Sequence, residues 1–552
     1  MSATLTISDL DVGFGARSLF SGLDLTLADG DVTAVVGPNG SGKSTLMRTI
    51  VGELPIESGS IRLAPPGATM AWLPQVPPDE HETLLGYCRA RTGVAAADRE
   101  LELASAAIAA GEPHAEDRYS LALHRWLSLG AADLDERLPE VAAAVGLTVD
   151  AGRALGSLSG GQSARATLVA VLLSQFDVLL LDEPTNSLDA RGLRLVADFV
   201  HGHPGPVLVA SHDRDWLDEV TTSVVELDLP QHRIGHYTGS YSDFVAQRTL
   251  ARAQAWEAYG DYAAERDGLQ AQGRQHHGWA DRGRRNVAQG GEPDKHIREK
   301  HRARADRQDA KGARIERAAD RLVTVEQPRK EWRLRYTIAE GRPSADVVAT
   351  LSDAVVTRGD FILGPVSLAL GRGDRIAVTG DNGSGKSTLI GALLGELALT
   401  SGRQSLGTRV FAGVIDQRRE LADGDDPLSE VARVALGTDP TTSAGWAPAA
   451  VRTLLAKFGL GAEHVGRPAS SLSMGERTRA MMAIFQGREV NLLVLDEPTN
   501  HLDVDAIEQL EAAVAAFTGT VLVVSHDASL LRGIRLTHRW HVHGGHVGLD
   551  TL

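Results

Sequence analysis

GPNGSGKST at residues 37–45 and GDNGSGKST at residues 380–388 are one phrase written twice in the same chain. Other phrases follow in the same order. LLLDEPTNSLD ends at Asp189 and LVLDEPTNHLD at Asp503; SHD stands at 211–213 and at 525–527; LSGGQ at 158–162 is answered by LSMGE at 472–476. A shared order means a tandem duplication of a domain of about 210–240 residues, a period too long for a solenoid. The glycine-rich phrases lie 343 residues apart, Gln75 and Gln417 lie 342 apart, and everything from LSGGQ onward is offset by 314. The first copy therefore holds extra residues between Gln75 and Ser159. There DRELELASAAIAA and EDRYSLALHRWLSLG flank a Gly111-Glu112-Pro113 turn, which reads as a helical hairpin inserted into the first copy.

Each glycine-rich phrase is a P-loop, GxxxxGK[ST], with an apolar strand before it (Val32–Val36; Arg375–Val378) and a helical run after it. Gly37, Asn39, Gly40, Ser41 and Gly42, with Gly380, Asn382, Gly383, Ser384 and Gly385, would let backbone N–H groups wrap phosphates at a helix N-terminus. Lys43 and Lys386 reach the β- and γ-phosphates. Ser44 and Ser387 ligate Mg²⁺, with Thr45 and Thr388 beside them. Each DEPTN follows four apolar residues, a buried parallel strand ending in acid. Asp182 and Asp496 would hold the metal through water, and Glu183 and Glu497 would orient the attacking water.

Composition bounds the rest. The chain of 552 residues is 43% hydrophobic and 23% charged, enough for several buried cores. Its single cysteine, Cys88, makes no internal disulfide, Cys-rich zinc site or iron–sulfur cluster, and a reducing cytoplasmic setting is expected. No apolar run reaches 18 residues, and the N-terminus has no signal-peptide pattern. The net charge of −16 argues against nucleic acid for the chain as a whole. Its distribution argues otherwise. Residues 240–335 hold 21 basic and 15 acidic side chains, and residues 274–304 hold nine basic against four acidic. A lone basic finger on an acidic protein points to a polyanion.

That finger spans 240–340. It lacks proline from Gln231 to Glu292 and from Asp294 to Gln327. Phe244, Ala251, Ala255, Ala258, Tyr262 and Leu269 fall on one helical face; Ile297, Ala305, Ile315, Ala318 and Leu322 do so beyond a break at Gln289-Gly290-Gly291-Glu292-Pro293. The pattern predicts two antiparallel helices, the first from Tyr241 to Arg285 and about 65 Å long. The tip, about residues 278–296, has weak helical character. Arg282, Arg284, Arg285, Lys295 and Arg298 there are the candidate RNA contacts.

P-loop, Gln75, LSGGQ, LLLDEPTNSLD and SHD in this order resemble an ATP-binding cassette ATPase domain, in both copies. The resemblance implies an α/β fold of two tandem cassettes meeting head to tail around two composite ATP sites, an intramolecular pairing within a monomer. One site would join Lys43, Gln75, Glu183 and His212 to Ser473 and Gly475. The other would join Lys386, Gln417, Glu497 and His526 to Ser159, Gly160, Gly161 and Gln162. Gln75 and Gln417 would also face the Mg²⁺. Two departures stand out. Met474 and Glu476 replace the Gly160 and Gln162 of the first copy, so the first composite site holds its γ-phosphate differently. Phe14 occupies the place of an adenine-stacking aromatic, but its counterpart is Thr357, which cannot stack; base binding then falls to Arg358 or Val356.

Two fused cassettes, an insertion in the first, a long helical linker and GSYSDFVAQR at 239–248 resemble the ABC-F family. ABC-E recycling factors need iron–sulfur clusters and UvrA-type repair proteins need zinc modules, which one cysteine excludes. The resemblance divides the chain into cassette one (1–239, with the helical arm at about 85–145), the hairpin linker (240–340) and cassette two (341–552). It implies a partner, the ribosome, with the linker tip directed at large-subunit rRNA and peptidyl-tRNA from the tRNA exit site, and no membrane or DNA. Within the family two roles compete: antibiotic resistance by ribosome protection, and a housekeeping factor for stalled or initiating ribosomes. The long tip and the alanine- and arginine-rich composition favour resistance. The ATPase subunit of a drug exporter is the third reading.

Overall fold

The structure is a computed structural model that describes residues 3–14, 17–73, 81–158, 160–186, 188–228, 233–289, 295–328, 344–359, 361–381, 383–416, 419, 421, 425–437, 444–500 and 502–551. Contacts divide the chain into two units, residues 1–241 with 333–552, and residues 242–332.

In the first unit each copy has the same two sheets. The first copy's six-stranded sheet runs in the order Met70–Leu73, Val178–Asp182, Val207–Ala210, Val32–Val36, Ser223–Asp228, Arg233–Thr238. All neighbours are parallel except the last pair. Every residue of Val32–Val36, Val178–Asp182 and Val207–Ala210 is buried, as expected of strands covered on both faces. The second copy repeats the order with Ala412–Ile415, Leu492–Asp496, Thr520–Val524, Arg375–Thr379, His538–His543 and His546–Thr551. A three-stranded antiparallel sheet lies in each copy: Thr4–Phe14 between Arg17–Leu27 and Ser58–Ala64, and Val347–Arg358 between Phe361–Gly371 and Ser401–Leu406. Leu5, Leu10 and Leu23 of the small sheet share a core with Leu46, Met47 and Ile50 of the helix Lys43–Ile50. That packing seats the P-loop helix.

This strand order positions the site. Val207–Ala210 lies between the acid-bearing strand and the P-loop strand, with Leu181 opposite Val209 and Ala34 also opposite Val209. The carboxyl ends of three adjacent parallel strands therefore deliver Gly37, Asp182 with Glu183, and His212 to one edge.

The inserted residues of the first copy form helices Val94–Ala109 and Ala115–Ser128, joined by the turn at 110–114. Alanines 104, 107, 115 and 122 are buried, and polar pairs tie the hairpin: Trp126 Nε1 donates to Asp98 at 2.7 Å and Arg125 bonds Glu100 at 3.1 Å. Cys88 is buried in the preceding helix Leu84–Arg91, where burial pushes its thiol up to about 12. It is a packing residue, not a nucleophile.

The second unit consists of two helices, Tyr241–Gln289 and Lys295–Ala319. The first is 49 residues long, roughly 73 Å. It continues to Gln289, through the segment where the sequence reads as weakly helical. The reason is the seam. Gly273 and Ala280 on the first helix, and Ala305, Gly312 and Ala319 on the second, are buried at seven-residue spacing. Small residues let the backbones approach closely: a Cβ on Gly283 would sit 3.3 Å from Ala305 Cβ, and one on Gly312 would meet the His277 ring at 2.9 Å. Polar bridges cross the seam, His276 to Gln308 at 2.7 Å and His277 to Asp309 at 2.6 Å. The expected apolar face is only partly buried. Phe244 and Ala305 are buried and Tyr262, Leu269, Ile315 and Leu322 half-buried, whereas Ala251, Ala255, Ala258 and Ala318 are exposed; Ile297 lies outside the side chains described. A seam of glycine, alanine and paired polar groups carries little apolar periodicity, which is why that reading caught Ala305 but not Gly273, Ala280, Gly312 or Ala319.

Candidate nucleotide sites

The two P-loops have the same shape. Gly37, Gly40 and Gly42 have φ of 158°, 80° and 100°, and Gly380, Gly383 and Gly385 have 143°, 81° and 107°. A Cβ on Gly37 would meet Leu227 O at 2.7 Å, and one on Gly385 would meet the Phe361 ring at 2.6 Å. Glycine alone fits both the torsions and the space. Lys43 Nζ donates to Gly37 O at 2.8 Å and Lys386 Nζ to Gly380 O at 2.7 Å. Both lysines are buried, and burial lowers their pKa against the pull of Glu183, Asp503 and Asp182 on Lys43, and of Glu497, Asp496 and Asp189 on Lys386. Ser41 Oγ and Ser384 Oγ are buried with no hydrogen-bond partner among the described residues. Orphaned hydroxyls, loop amides and a buried ammonium fit a polyphosphate.

The acids lie beside the loops. Ser387 Oγ donates to Asp496 Oδ2 at 2.8 Å, and Ser44 hydrogen-bonds Asp182. Burial raises both aspartates, against the serine hydrogen bonds and the lysine charges. One carboxylate and one hydroxyl, with phosphate and water completing the shell, is the donor set Mg²⁺ takes. No cluster of three or more His, Cys, Asp or Glu able to hold a metal occurs among the described residues.

Glu183 and Glu497 stand one residue further on, with φ of 52° and 48°. Left-handed backbone at a non-glycine residue is strained by roughly 1–2 kcal/mol. Their own amides hold them there, Glu183 N–H donating to Ala210 O at 2.8 Å and Glu497 N–H to Val524 O at 2.9 Å. His212 Nε2 lies 3.1 Å from Glu183 Oε1 and His526 Nε2 lies 3.6 Å from Glu497 Oε1. Burial pushes Glu183 up to about 8 and Glu497 up to about 7; Lys43 and Lys386 oppose the shift, while Asp182 and Asp496 add to it. A carboxylate tuned near neutrality beside an imidazole can take a proton from water. Glu183 Oε2 is buried and has no hydrogen-bond partner among the described residues.

The two copies meet across this region. Asn39 N–H donates to Asp503 Oδ2 at 3.1 Å, so the first P-loop touches the end of the second copy's DEPTNHLD phrase. Asp503 also caps the helix Val504–Ala516, and Asp189 caps Ala190–Gly202 in the same way. Each P-loop lysine feels the opposite copy's aspartate, Lys43 that of Asp503 and Lys386 that of Asp189. Both aspartates close repeated phrases, which was the available signal, yet the motif reading gave them no role. Arg214 pairs with Glu511, and Arg532 with Asp215 at 2.9 Å. A cleft lies between, lined by Thr185, Asn186, His212 and Asp213 of one copy and by Glu497, Asn500, His526 and Asp527 of the other.

The signature motifs differ. Ser473 caps the helix Met474–Gly487 in a reciprocal box: its Oγ accepts from Glu476 N–H at 3.2 Å and its own N–H donates to Glu476 Oε2 at 2.7 Å. Gly475 lies in the first turn. In the first copy Gly160 and Gly161 open the helix Gly160–Leu173, and Gln162 is half-buried there. Of the two alternatives for the second base, Val356 is buried in the core and Arg358 is exposed at the end of its strand, so only Arg358 is available. Gln75, Gln417, Asn382, Ser159 and the side chain of Phe14 lie outside the described residues, as do the side chains of Lys295 and Arg298. Of the candidate RNA contacts, Arg282 and Arg285 are exposed. Arg284 is committed to Asp281 at 3.0 Å and Asp309 at 3.1 Å.

Residues 20–186 and 363–500 match the ABC transporter family. The ATP-binding protein Uup of Escherichia coli (strain K12) is 30% identical over 545 residues, covering 97% of this chain and 79% of Uup. The tylosin resistance ATP-binding protein TlrC of Streptomyces fradiae is 29% identical over 548 residues, covering 95% of each. Among solved structures, RNase-L Inhibitor aligns over 99% of this chain and 91% of its own with a TM-score of 0.55 at 18% identity. The archaeal ribosome recycling factor aABCE1, in complex with the stalk protein aP1, gives the same score and identity over 99% and 90%. These structural likenesses speak to the twin-cassette fold. No helix among the described residues is long and apolar enough to cross a membrane. Two matched cassettes, relatives aligned along their length and a helical pair between the copies establish that the chain belongs to the ABC-F family of ATP-binding cassette proteins and is an ATPase.

Proposed function

We propose that this ATPase binds the ribosome at the tRNA exit site, directs the tip of its hairpin toward the peptidyl-transferase centre, and protects the ribosome from an antibiotic. The carrying observation is a basic hairpin, residues 240–335 with 21 basic and 15 acidic side chains, in a chain of net charge −16 that aligns from end to end with a tylosin resistance protein. Acidic cassettes repel rRNA, so the hairpin is the part with electrostatic reason to enter it. The reading of a housekeeping factor for stalled or initiating ribosomes draws on the likeness to Uup, whose name carries no resistance role.

In this reading ATP joins the copies and its hydrolysis frees them. Lys43 and Lys386 leave their loop carbonyls to meet the β- and γ-phosphates. Glu183 and Glu497 take a proton from the attacking water, which His212 and His526 help hold against the γ-phosphate. Ser473 and Gly475 in one site, and Ser159, Gly160 and Gly161 in the other, donate to the γ-phosphate from the opposite copy. Mg²⁺, where bound, neutralises phosphate charge; Ser44 with Asp182, and Ser387 with Asp496, would hold it. Asp503 and Asp189 would report the state of one site to the other copy.

Co-sedimentation with ribosomes tests the first half: binding is expected with ATP and lost without it. Expression in a susceptible host, challenged with a panel of antibiotics that act on the large subunit, tests the second. Resistance to one class, with cell-free translation protected by the purified protein, supports protection. Ribosome binding with no resistance, and a growth defect on deletion, supports the housekeeping role.

A further inference from the structure

Glu476 stands in the first turn of the helix Met474–Gly487, where the first copy has Gln162. A carboxylate satisfies helix N-terminal amides, but here it also sets a negative charge beside the serine and glycine amides that would receive a γ-phosphate. An imidazole and a guanidinium face it. Glu476 Oε1 lies 3.1 Å from His464 Nε2 and 3.3 Å from Arg467 Nη1. The Glu476 and His464 side chains are each 15% exposed, so water does little to screen this carboxylate. Burial works against its charge, but the Ser473 amide, Arg467, the Ser473 hydroxyl and His464 together hold its carboxyl below the ordinary value. Arg467 Nη2 donates to Ser471 O at 2.7 Å, which anchors the guanidinium on the turn leading into the signature. Glu463 is the other charged group at hand, its Oε1 3.2 Å from His464 Nδ1.

The first copy supplies an internal comparison. The 314-residue offset maps Glu476 to Gln162, Arg467 to Arg153 and His464 to Asp150. Arg153 Nε there donates to Ser157 Oγ at 3.0 Å, and Asp150 Oδ1 accepts from Gly152 N–H at 2.8 Å. The copy with a neutral glutamine thus has an acid at the position where the copy with a glutamate has an imidazole. The two positions differ together and in opposite electrical senses.

We infer that His464 and Arg467 are positioning residues for ATP at the composite site built from Lys43 and the second copy's signature. They hold Glu476 in its capping box, with Arg467 offsetting its charge, leaving the Ser473 hydroxyl proton and the Gly475 amide free to meet the γ-phosphate. The inference rests on the composite-site reading proposed above.

The test uses the full-length chain and compares His464→Ala with Arg467→Ala together, Glu476→Gln alone, all three changes together, and Ser473→Ala. Each is measured for kcat, for the ATP concentration at half-maximal turnover, and for thermal melting without nucleotide. The double alanine is expected to raise that ATP concentration about tenfold, the effect of an unscreened like charge near the phosphate. Its kcat should stay within about twofold. Adding Glu476→Gln should restore the wild-type concentration, because no charge then needs offsetting. An unchanged half-maximal concentration in the double alanine overturns the inference. So does a loss that Glu476→Gln fails to rescue, with or without a lowered melting temperature, since that would mark a packing role. A neutral Ser473→Ala overturns the composite-site reading itself, and the inference with it.

Discussion

The cassettes and the hairpin are held together by different forces. In the cassettes, strands such as Val178–Asp182 are buried at every position, and the cores are apolar, mostly aliphatic with aromatics such as Phe20 and Trp540 among them. In the hairpin, beyond Tyr241 and Phe244 at its base, the buried positions are glycines and alanines, and the side chains that bridge the helices include His276, His277, Arg284, Gln308, Asp309 and Glu316. Hydrophobic burial is strong, and insensitive to salt and pH. Exposed ion pairs are weak and sensitive to both. The cassettes are thus apolar at heart and the hairpin is a helical pair rich in charge, and changes to one should leave the other's chemistry in place.

The widest separation is expected at the glutamates. Glu183→Gln with Glu497→Gln should lower ATP turnover by about 10²–10⁴-fold while ATP still binds, because the amide keeps the shape and cannot accept the proton. Such a protein should remain on ribosomes and inhibit growth. Both carboxyls lie high, at about 8 and about 7, so wild-type turnover should climb as pH is raised through that range and the base becomes ionised. Steady-state ATPase across pH, with ribosome pelleting alongside, reads both effects. Wild-type turnover in the double variant would remove these residues from the mechanism.

Next come the cores. Leu180→Ala removes a fully buried side chain from the acid-bearing strand and should destabilise the cassette by about 2–5 kcal/mol. Leu269→Ala, at a half-buried place in the hairpin, should change stability by about 1 kcal/mol or less. Denaturant melts of both variants make the comparison, and equal losses would show that the hairpin has a core of the cassette kind.

Much of this was legible because catalysis at phosphate fixes residue type and order together. Gly37 and Gly42 must be glycine, and the strand run from Val178 must be apolar, so composition and function coincide there. That one helix ends at Gln289 and a second begins at Lys295 was legible from the glycines and proline between them, although residues 290–294 lie outside those described. What stayed hidden depends on side-chain partners across space. Asp503 and Asp189 stand in quoted motifs, but their reach to the opposite P-loop follows only from how the copies meet. Arg284 is one arginine among several in sequence; its commitment to Asp309 needs the neighbouring helix. The pairing of His464 with Glu476 spans twelve residues and a turn, and no periodicity marks it.

Arg284's internal pairing sharpens the next expectation. Arg282→Ala with Arg285→Ala should weaken ribosome binding, and the dependence of log affinity on log salt should fall by about 2, one for each phosphate left without its arginine. Intrinsic ATPase should be unaltered. Arg284→Ala should instead loosen the seam and leave the salt slope nearly unchanged. A slope change confined to Arg284→Ala would reverse the assignment of which arginines face RNA.

The smallest effect is expected at His277, and its sign follows from its neighbours. His277 Nδ1 lies 2.6 Å from Asp309 and Nε2 lies 3.3 Å from Glu316, both on the facing helix; Arg284, on its own helix, shares Asp309. The Asp309 hydrogen bond, with help from Glu316, raises the imidazole above its ordinary value despite some desolvation. A group whose folded pKa is raised lends stability that is fully present below its unfolded pKa, roughly 6.5, and is lost as pH rises through the folded value. The hairpin should therefore be tighter in mild acid than at pH 8, the reverse of the direction expected for catalytic turnover. The side chain is about a third exposed, so solvent and salt will blunt the effect. Hydrogen exchange of the seam amides near Ala280 and Gly312, followed from pH 6 to pH 8 after correction for intrinsic rates, is the suitable measure. Protection should decline with pH in the wild type and stay flat in His277→Gln, whose amide can hydrogen-bond but carries no titrating charge. An equal decline in both proteins would mean that the seam is closed by its small residues alone, and the division between an apolar body and an ionic hairpin would then have to be redrawn.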